Sequence, residues 1–258
     1  MDLLENKNAV ITGGSDGIGL GIAHAFAKNG ANILLIGRDA EKLHKAKQEL
    51  AEYPIAVHTL AVDLYDVEKI KLYTEQILQI FPKVDVLVNN AGLGKFVPFQ
   101  QTDIALLDAH LNLNVKAPYL LTQQLLPALE QSKGNVINIS SYFANRMLQG
   151  RTTTAYSLTK GAINSFTKSL AFEVGHLGIR VNAIAPGSIE TPQLNRNLQS
   201  MPDDKQQAFR AMVKNIYPLG RKIGSVDDIG KAAVFLASEQ ASWITGVILA
   251  VDGGLTTN

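Results

Sequence analysis

Apolar residues along this chain alternate between short β-rich runs and longer stretches with helical periodicity. The short runs, rich in Val, Ile and Leu, predict strands at 9–12, 32–36, 55–60, 84–88, 135–139, 179–184 and 246–251. Helical patterns fall between most of them, at about 18–29, 40–52, 66–80, 103–131, 155–175 and 226–238. Such β–α alternation predicts an α/β fold: a doubly wound parallel sheet of about seven strands with helices on both faces.

One stretch, about 188–220, lacks clear β–α order and is rich in Gln, Asn and Pro. In a doubly wound sheet, the loops at the carboxyl ends of the strands form the ligand crevice. We therefore expect a lid or substrate loop here. Within it, the acid pair Asp203 and Asp204 indicates a helix start and not a metal site. No repeat, linker or low-complexity segment divides the chain, so residues 1–258 are predicted to form a single domain.

Composition narrows the class of protein. With 46% apolar and 18% charged residues, the chain can bury a sizeable core. The net charge of +1, without a basic tract, makes nucleic acid or an anionic membrane surface an unexpected partner. The absence of cysteine excludes disulfides and fits a reducing compartment. We find no signal-peptide pattern at the N-terminus and no run near the roughly 20 apolar residues of a membrane span, so we expect a soluble cytoplasmic protein.

A glycine-rich turn follows the first predicted strand, where residues 12–19 read Thr-Gly-Gly-Ser-Asp-Gly-Ile-Gly before an amphipathic helix. Such a turn lets the backbone approach a pyrophosphate and directs the amides of the helix N-terminus at its charge. Gly13, Gly17 and Gly19 are spaced four and two apart, whereas the common dinucleotide fingerprint has spacings of two and three. By pattern alone, the segment suits any phosphate site or a simple turn.

Tyr156 and Lys160 lie four residues apart in a helical pattern, so their side chains share one helix face. A free phenol has a pKa of about 10, and a neighbouring cation lowers it. The pair is therefore predicted to transfer a proton near neutral pH. The alternative is an ordinary helix with a half-buried Tyr and a solvated Lys. The five histidines have no metal-ligand spacing, and no metal site is predicted.

In order along the chain, Thr-Gly-x-x-x-Gly-x-Gly at 12–19, Asn-Asn-Ala-Gly at 89–92 and Tyr156-x-x-x-Lys160 resemble the single-domain short-chain dehydrogenases/reductases. The resemblance runs from residue 7 to residue 254, and its wording is similar to that of the 3-oxoacyl-carrier-protein reductase group. It implies a Rossmann-type fold. It also implies hydride transfer between NAD(P)(H) and a small-molecule ketone or secondary alcohol.

The resemblance also assigns cofactor contacts by position. The pyrophosphate and adenosine ribose would be lined by Gly13, Ser15, Gly17, Ile18 and Gly19. Asp63 would bind the adenine amino group, although a helix cap is the alternative. Asn90 and Gly92 would brace the sheet and border the ribose. Ile189 and Thr191 would hold the nicotinamide carboxamide.

The end of the second strand bears on the choice between NAD and NADP. Gly37 stands where NAD-preferring sites place a carboxylate for the ribose 2′-hydroxyl, and Arg38 follows it. An Arg suits a 2′-phosphate because it makes charge-assisted, forked hydrogen bonds. Asp16 in the glycine turn and Asp39 argue the other way, although Asp39 also suits a helix cap. We predict that NADP(H) is favoured over NAD(H).

For catalysis, the resemblance makes Tyr156 the proton donor in reduction and the base in oxidation. Lys160 would lower the pKa of Tyr156 and hold the nicotinamide ribose. Ser141 would bind the carbonyl oxygen. Asn114 would hold a water that links Lys160 to solvent, with a polar residue at a helix start as the alternative.

The family usually places the serine 13 residues before the tyrosine, whereas Ser141 stands 15 before Tyr156 and Phe143 holds the usual position. Two extra residues in the loop 142–154 account for this spacing. Ser140 is the fallback, but strand alternation would point it away.

The substrate and the assembly are less tightly specified. The loops at 93–99, 142–148 and 188–217 carry few charges, which suggests a mainly apolar carbonyl compound or secondary alcohol. Lys95 and Arg146 would attract an anionic substrate if they are not simply solvated. The resemblance implies a homotetramer paired through the helices at 103–131 and 155–175, unless their second apolar faces pack on their own sheet.

Three other functions stay open. A 3-oxoacyl-thioester reductase is one alternative, although Glu130 and Glu173 occupy helix ends where carrier-protein reductases present basic residues. A nucleotide sensor without turnover would commonly lose Tyr156 or Lys160, and both are present. An isomerase or dehydratase would usually carry a longer C-terminal substrate domain. An enoyl reductase is disfavoured because that group spaces its Tyr and Lys more widely.

Overall fold

The predicted seven-stranded parallel sheet is confirmed in a computed structural model, which describes residues 2–257. The strands are β1 (Asn8–Thr12), β2 (Asn32–Gly37), β3 (Val57–Ala61), β4 (Val86–Asn89), β5 (Asn135–Ile139), β6 (Arg180–Pro186) and β7 (Ile248–Val251). They lie in the order β3-β2-β1-β4-β5-β6-β7, and every neighbouring pair is parallel. The strand order reverses between β1 and β4. In such sheets, ligands bind at the carboxyl ends of the strands beside this reversal.

Helices cover both faces of the sheet. They are α1 (Gly17–Lys28), α2 (Ala40–Glu49), α3 (Ile70–Ile80), α4 (Ile104–Leu111), α5 (Ala117–Ser132), α6 (Thr154–Val174), α7 (Pro192–Gln199), α8 (Asp203–Ile216) and α9 (Val226–Ala237). One buried cluster joins α1, α2 and α9 to the sheet, and a second joins α3, α5 and α6 to the opposite face. Burial of these apolar faces is the main stabilising contribution to the fold. Within residues 2–257, no helix is both long enough and apolar enough to cross a bilayer.

The predicted helix at 103–131 is divided into three parts. α4 and α5 are joined by a π-helical turn, Asn112–Lys116. Pro118 follows directly, and because proline has no N–H it cannot donate the α-helical hydrogen bond to the Asn114 carbonyl. Wide turns of this kind frequently occur at functional sites. Here the turn leaves the Asn114 carbonyl without its usual α-helical donor.

The stretch 188–220, where the sequence showed no clear β–α order, contains the helices α7 and α8. Its role as a lid or substrate segment stays a prediction. Thr191 caps α7, its Oγ1 accepting from the Leu194 amide at 3.2 Å, and Pro192 occupies the first turn. Asp203 and Asp204 begin α8, as predicted. The only residue of α8 that is fully buried is Val213, which packs with Tyr142, Phe143 and Tyr217. Because so little of α8 is buried, the sequence there shows no strong apolar pattern. The contacts of Val213 place α8 over the loop that follows β5.

Candidate active site

The glycine turn is closely packed against the residues that follow β4. Gly13 and Gly17 have positive φ angles of 62° and 55°, which side chains rarely tolerate. A Cβ added at Gly19 would collide with the Gly13 carbonyl oxygen and come within 2.5 Å of Asn90 Nδ2. Asn90 Nδ2 donates to the carbonyl oxygens of Thr12 and Gly13 at 2.9 and 3.1 Å. The brace predicted for Asn90 is therefore present, and it holds the turn against the sheet.

A cavity of about 370 Å³ opens beside this turn, at the point where the strand order reverses. Its lining includes five of the residues predicted to bind cofactor, namely Gly13, Ser15, Arg38, Asp63 and Gly92. A second cavity, of about 180 Å³, is lined by Ile18, Asn90 and Gly92 together with Ser141, Tyr156 and Lys160. Gly92 and Leu93 line both cavities. The cleft therefore runs from the end of β2 to the predicted catalytic residues.

Two carboxylates near this cleft have defined partners. Asp39 caps α2, because its Oδ1 accepts from the amides of Glu41 and Lys42, each at 3.1 Å. The cap predicted as the alternative for Asp39 is thus present. Asp63 Oδ1 accepts from the Tyr65 amide at 3.0 Å within the turn after β3, and Asp63 caps no helix. Its position on the cavity wall is compatible with an adenine contact.

The proton-transfer candidates lie together where β5 ends against α6. Lys160 is only 5% exposed, and its Nζ donates to the Ile139 carbonyl at 2.7 Å. This ammonium nitrogen lies 5.6 Å from the centre of the Tyr156 ring. A hydrogen bond joins the side chains of Tyr156 and Ser141. Ser140 faces away, as predicted, and donates to Asn164 Oδ1 at 2.6 Å in the interior.

An aromatic wall adjoins this group. The ring centre of Phe96 lies 5.4 Å from that of Tyr156 and 5.8 Å from that of Phe143, both in edge-on geometry. Phe143 is the residue at the usual serine spacing, and its backbone amide donates to Ser141 Oγ at 3.2 Å. The longer loop therefore keeps Ser141 at the site and adds an apolar ring beside it.

The comparisons with known proteins agree with this geometry. A family described as "Enoyl-(Acyl carrier protein) reductase" matches residues 13–256. The chain is similar to L-sorbose reductase from Gluconobacter frateurii, solved with NADPH and L-sorbose, at 33% identity and a TM-score of 0.93 over the full length of both chains. The protein belongs to the short-chain dehydrogenase/reductase family.

Curated relatives cover nearly the whole chain as well. Oxidoreductase UcpA of Salmonella typhimurium is 36% identical, over 99% of this chain and 97% of the relative. The 3-oxoacyl-[acyl-carrier-protein] reductase FabG of Chlamydia trachomatis is 37% identical, over 98% of each chain. The chain is thus an NAD(P)-dependent oxidoreductase of the short-chain dehydrogenase/reductase family.

The electrostatics of this short-chain dehydrogenase/reductase site differ from one expectation. Burial raises the pKa of Tyr156 to about 12, and the hydrogen bond with Ser141 only partly opposes that rise. Burial also lowers the pKa of Lys160 to about 8. The net direction is opposite to the lowering expected from Lys160, because desolvation of the phenol is the largest contribution to its pKa. A lowering by Lys160 stays a prediction. At neutral pH, Tyr156 is a protonated phenol and can act as a proton donor.

Asn114 has a bracing role that the sequence did not reveal. Its Oδ1 accepts from the Leu93 amide at 2.7 Å, and its Nδ2 donates to the Leu93 carbonyl at 2.9 Å and to Thr159 Oγ1 at 3.0 Å. Both amide hydrogens are used by the protein, so the side chain clamps the cleft loop to α6. The role predicted for Asn114, holding a water that links Lys160 to solvent, stays a prediction.

The predicted nicotinamide residues lie at the entrance to α7. A Cβ on Gly17 would lie 3.5 Å from Thr191 Cγ2, so the start of α7 faces the glycine turn. The side chain of Ile189 is buried, and it packs against Gly224, with which Ile189 also forms an isolated parallel bridge. Sequence reasoning missed Lys42, which lines the larger cavity and lies four residues beyond Arg38. Among residues 2–257, no group of three or more His, Asp or Glu side chains is placed to hold a metal ion.

Proposed function

We propose that this enzyme transfers a hydride between NADP(H) and a ketone or secondary alcohol, with Tyr156 as general acid and base. The observation that carries the proposal is the placement of Tyr156, hydrogen-bonded to Ser141 and next to Lys160, at one end of a cleft that begins at a glycine turn. A bound nicotinamide supplies the hydride. The protein must then supply orientation and a proton.

The cleft fits a dinucleotide at its two ends. A Cβ on Gly13 would come within 2.9 Å of Asn90 Nδ2, so only a bare backbone passes there. Gly92 lies between the two cavities, and a Cβ added there would lie 3.3 Å from Asn114 Oδ1 and 3.8 Å from Lys160 Nζ. The absence of a side chain at Gly92 therefore keeps the passage between the cavities open. Gly13, Ser15, Gly17 and the amides at the start of α1 would hold the pyrophosphate.

Proton transfer follows from the positions of the side chains. The Ser141 hydroxyl would donate to the carbonyl oxygen of the substrate, and negative charge would develop on that oxygen during reduction. Tyr156 would then pass its phenolic proton to the oxygen. Lys160 would hold the nicotinamide ribose, and the Asn114 carbonyl would hold the water that restores the proton. In oxidation the same steps run in reverse, so Tyr156 accepts the proton.

We infer a preference for NADP(H) from the end of β2. Gly37 offers no carboxylate for a ribose 2′-hydroxyl, and Asp39 is engaged by the amides of α2. Arg38 lines the cavity at this point. L-Sorbose reductase, which was solved with NADPH, supports the inference, as does a putative gluconate 5-dehydrogenase from Beutenbergia cavernae with bound NADP, at 31% identity and a TM-score of 0.89.

Two substrate classes deserve direct comparison. The aromatic wall of Phe96 and Phe143 favours an apolar ketone or secondary alcohol. The similarity to FabG favours a 3-oxoacyl thioester as the second candidate. Against a carrier-protein substrate, Glu130 and Glu173 stand near the ends of α5 and α6, where carrier-protein reductases present basic residues, although Lys133 is the C-cap of α5.

A substrate panel tests the function. Purified protein would be mixed with NADPH or NADH and with ketones, keto-sugars, 3-oxoacyl thioesters, quinones and an enoyl thioester. We expect turnover of a carbonyl compound, faster with NADPH. Turnover of the enoyl thioester alone would contradict carbonyl reduction. Cofactor binding without turnover of any panel member would favour the nucleotide sensor.

We further propose a cytoplasmic homotetramer without nucleic acid or membrane partners. Phe172 on α6 and Trp243 are 94% and 98% exposed, and Tyr119 on α5 is half exposed. Exposed aromatic side chains of this kind are typical of subunit contacts. Light scattering should give four times the chain mass of 27.9 kDa. Phe172→Glu should lower the mass, whereas the same substitution at Leu72, on α3, should not.

A further inference from the structure

We propose that Lys42 is a second cation for the 2′-phosphate of NADP(H), and that Asp16 competes with that phosphate for Lys42. The inference rests on the proposed preference for NADP(H). It makes Lys42 and Asp16 determinants of cofactor choice.

Lys42 lies in the first turn of α2, on the wall of the larger cavity. The same wall carries Arg38 and Gly37 at the end of β2, where the 2′-position of an adenosine ribose would lie. The Asp39 carboxylate accepts a hydrogen bond from the Lys42 amide and caps α2. This cap fixes the start of the helix and so places Lys42 at the cavity wall. A phosphate has three acceptor oxygens, so it can be bound by Arg38 and by a lysine together.

Asp16 lies within reach of the Lys42 side chain. Lys42 Nζ and Asp16 Oδ2 are 3.6 Å apart, and both side chains are partly exposed. An exposed pair at this distance is weak, so a doubly charged phosphate can displace the carboxylate. Lys42 would then leave Asp16 and bind the cofactor.

Asp16 does not become unpaired when Lys42 moves. Its Oδ1 accepts from the Gly17 amide at 2.7 Å and caps α1. Its Oδ2 also lies 3.6 Å from Arg196 Nη2 on α7. Arg196 is not part of the cavity lining, so it can stay with Asp16 while Lys42 contacts the phosphate. This arrangement explains how an acidic residue in the glycine turn is compatible with NADP(H).

Binding constants for NADPH and NADH separate the two cofactors without any need for turnover. Titration of nicotinamide fluorescence would be done for wild type and for Lys42→Gln. We expect Lys42→Gln to raise the Kd for NADPH by about tenfold, the effect of losing one charge-assisted hydrogen bond, and to leave the Kd for NADH within about twofold of wild type. Lys45→Gln is the matched control. It removes the same charge from an exposed position of α2 away from the cavity, and NADPH binding should stay unchanged.

The competition is tested by a double-mutant cycle. Asn keeps an oxygen for the helix cap, so Asp16→Asn removes the charge without removing the cap. Asp16→Asn alone should lower the Kd for NADPH by about threefold. This gain should shrink in the Lys42→Gln background, because the lysine for which Asp16 and the phosphate compete is then absent. A gain of equal size in both backgrounds would mean direct repulsion of the phosphate and would overturn the competition.

The outcomes distinguish this inference from the function on which it rests. If wild type binds NADH as tightly as NADPH, the preference for NADP(H) is overturned, and the role of Lys42 falls with it. If wild type prefers NADPH and Lys42→Gln retains the whole preference, only the role of Lys42 is overturned. Competition by 2′,5′-ADP, which carries the phosphate without nicotinamide, should weaken in parallel with NADPH in Lys42→Gln.

Discussion

Deprotonation of Lys160 is expected to weaken cofactor binding and, at the same time, to stabilise the fold. Burial lowers the pKa of this lysine from 10.5 to about 8, and its side chain is 5% exposed. The charged fraction should then fall from about nine-tenths at pH 7 to about one-hundredth at pH 10. An ordinary exposed lysine would stay mostly charged over this range.

The loss of charge weakens the hold on the nicotinamide ribose. A hydrogen bond from a charged donor contributes about 1 kcal/mol more than one from a neutral donor. We therefore expect the Kd for NADH to rise about fivefold between about pH 7 and about pH 10. NADH is the ligand of choice because it lacks the 2′-phosphate, whose own titration near pH 6 would complicate the profile.

The effect on stability has the opposite sign. The unfolded chain keeps the Lys160 proton up to its usual pKa of 10.5, whereas the folded chain releases it near pH 8. Between these values the unfolded state binds more protons, so the free energy of unfolding rises with pH. The part due to Lys160 is about 2 kcal/mol between about pH 8 and about pH 10. The free energy of unfolding in urea would be measured across this pH range for wild type and for Lys160→Met. The difference between the two isolates the contribution of Lys160 from that of the other titrating groups.

Fluorescence titration of NADH across this pH range measures the binding effect. Lys160→Arg is the control, because its guanidinium stays charged, so its binding profile should be flat whatever its absolute affinity. A wild-type Kd that is unchanged up to about pH 10 would refute the lowered pKa. A break of the same size in Lys160→Arg would assign the titration to another group.

Four further predictions concern the stability of the fold. Gly19→Ala should destabilise the protein by about 1–3 kcal/mol in urea unfolding and abolish cofactor binding, since the new methyl group meets a backbone carbonyl. Gly161→Ala, where an added methyl meets nothing within 4 Å, should stabilise it by about 0.5–1 kcal/mol. Asn114→Ala should lower the unfolding free energy by about 1–3 kcal/mol, because the Leu93 amide loses a buried partner, and it should also reduce kcat. Ser225→Ala should remove the cap of α9 at a loss of about 1 kcal/mol in thermal unfolding, with kcat unchanged.

The sheet could be predicted from the sequence because each buried strand is a short apolar run. All seven strands lie within two residues of their predicted bounds. The segment 188–220 could not, because α7 buries no residue fully and α8 buries only Val213, so no wide apolar stripe marks them. The cap at Thr191 and the acidic first turn at Asp203 and Asp204 were the usable signals. Only the second was recognised.

The sequence predicted which residues form the candidate site, but not their pKa values or all of their hydrogen bonds. The motifs and their spacing predicted that Ser141, Tyr156 and Lys160 share one site, and all three line the second cavity. The two extra residues in the loop do not move Ser141 away from it. The pKa of Tyr156 could not be read from the spacing, because it depends on how much protein surrounds the phenol. The hydrogen bonds of Asn114 to Leu93 also required the fold, since the two residues are 21 apart in the chain.

Tyr156→Phe tests the central claim most directly. The substitution removes one hydroxyl and retains the ring that packs against Phe96. With the best substrate from the panel, we expect kcat to fall by about a thousandfold, as for the loss of a general acid, while the Kd for NADPH stays within about twofold of wild type. Intact NADPH binding would show that the cleft is still formed. Turnover close to that of wild type would contradict the account, because Tyr156 would then not be the proton donor.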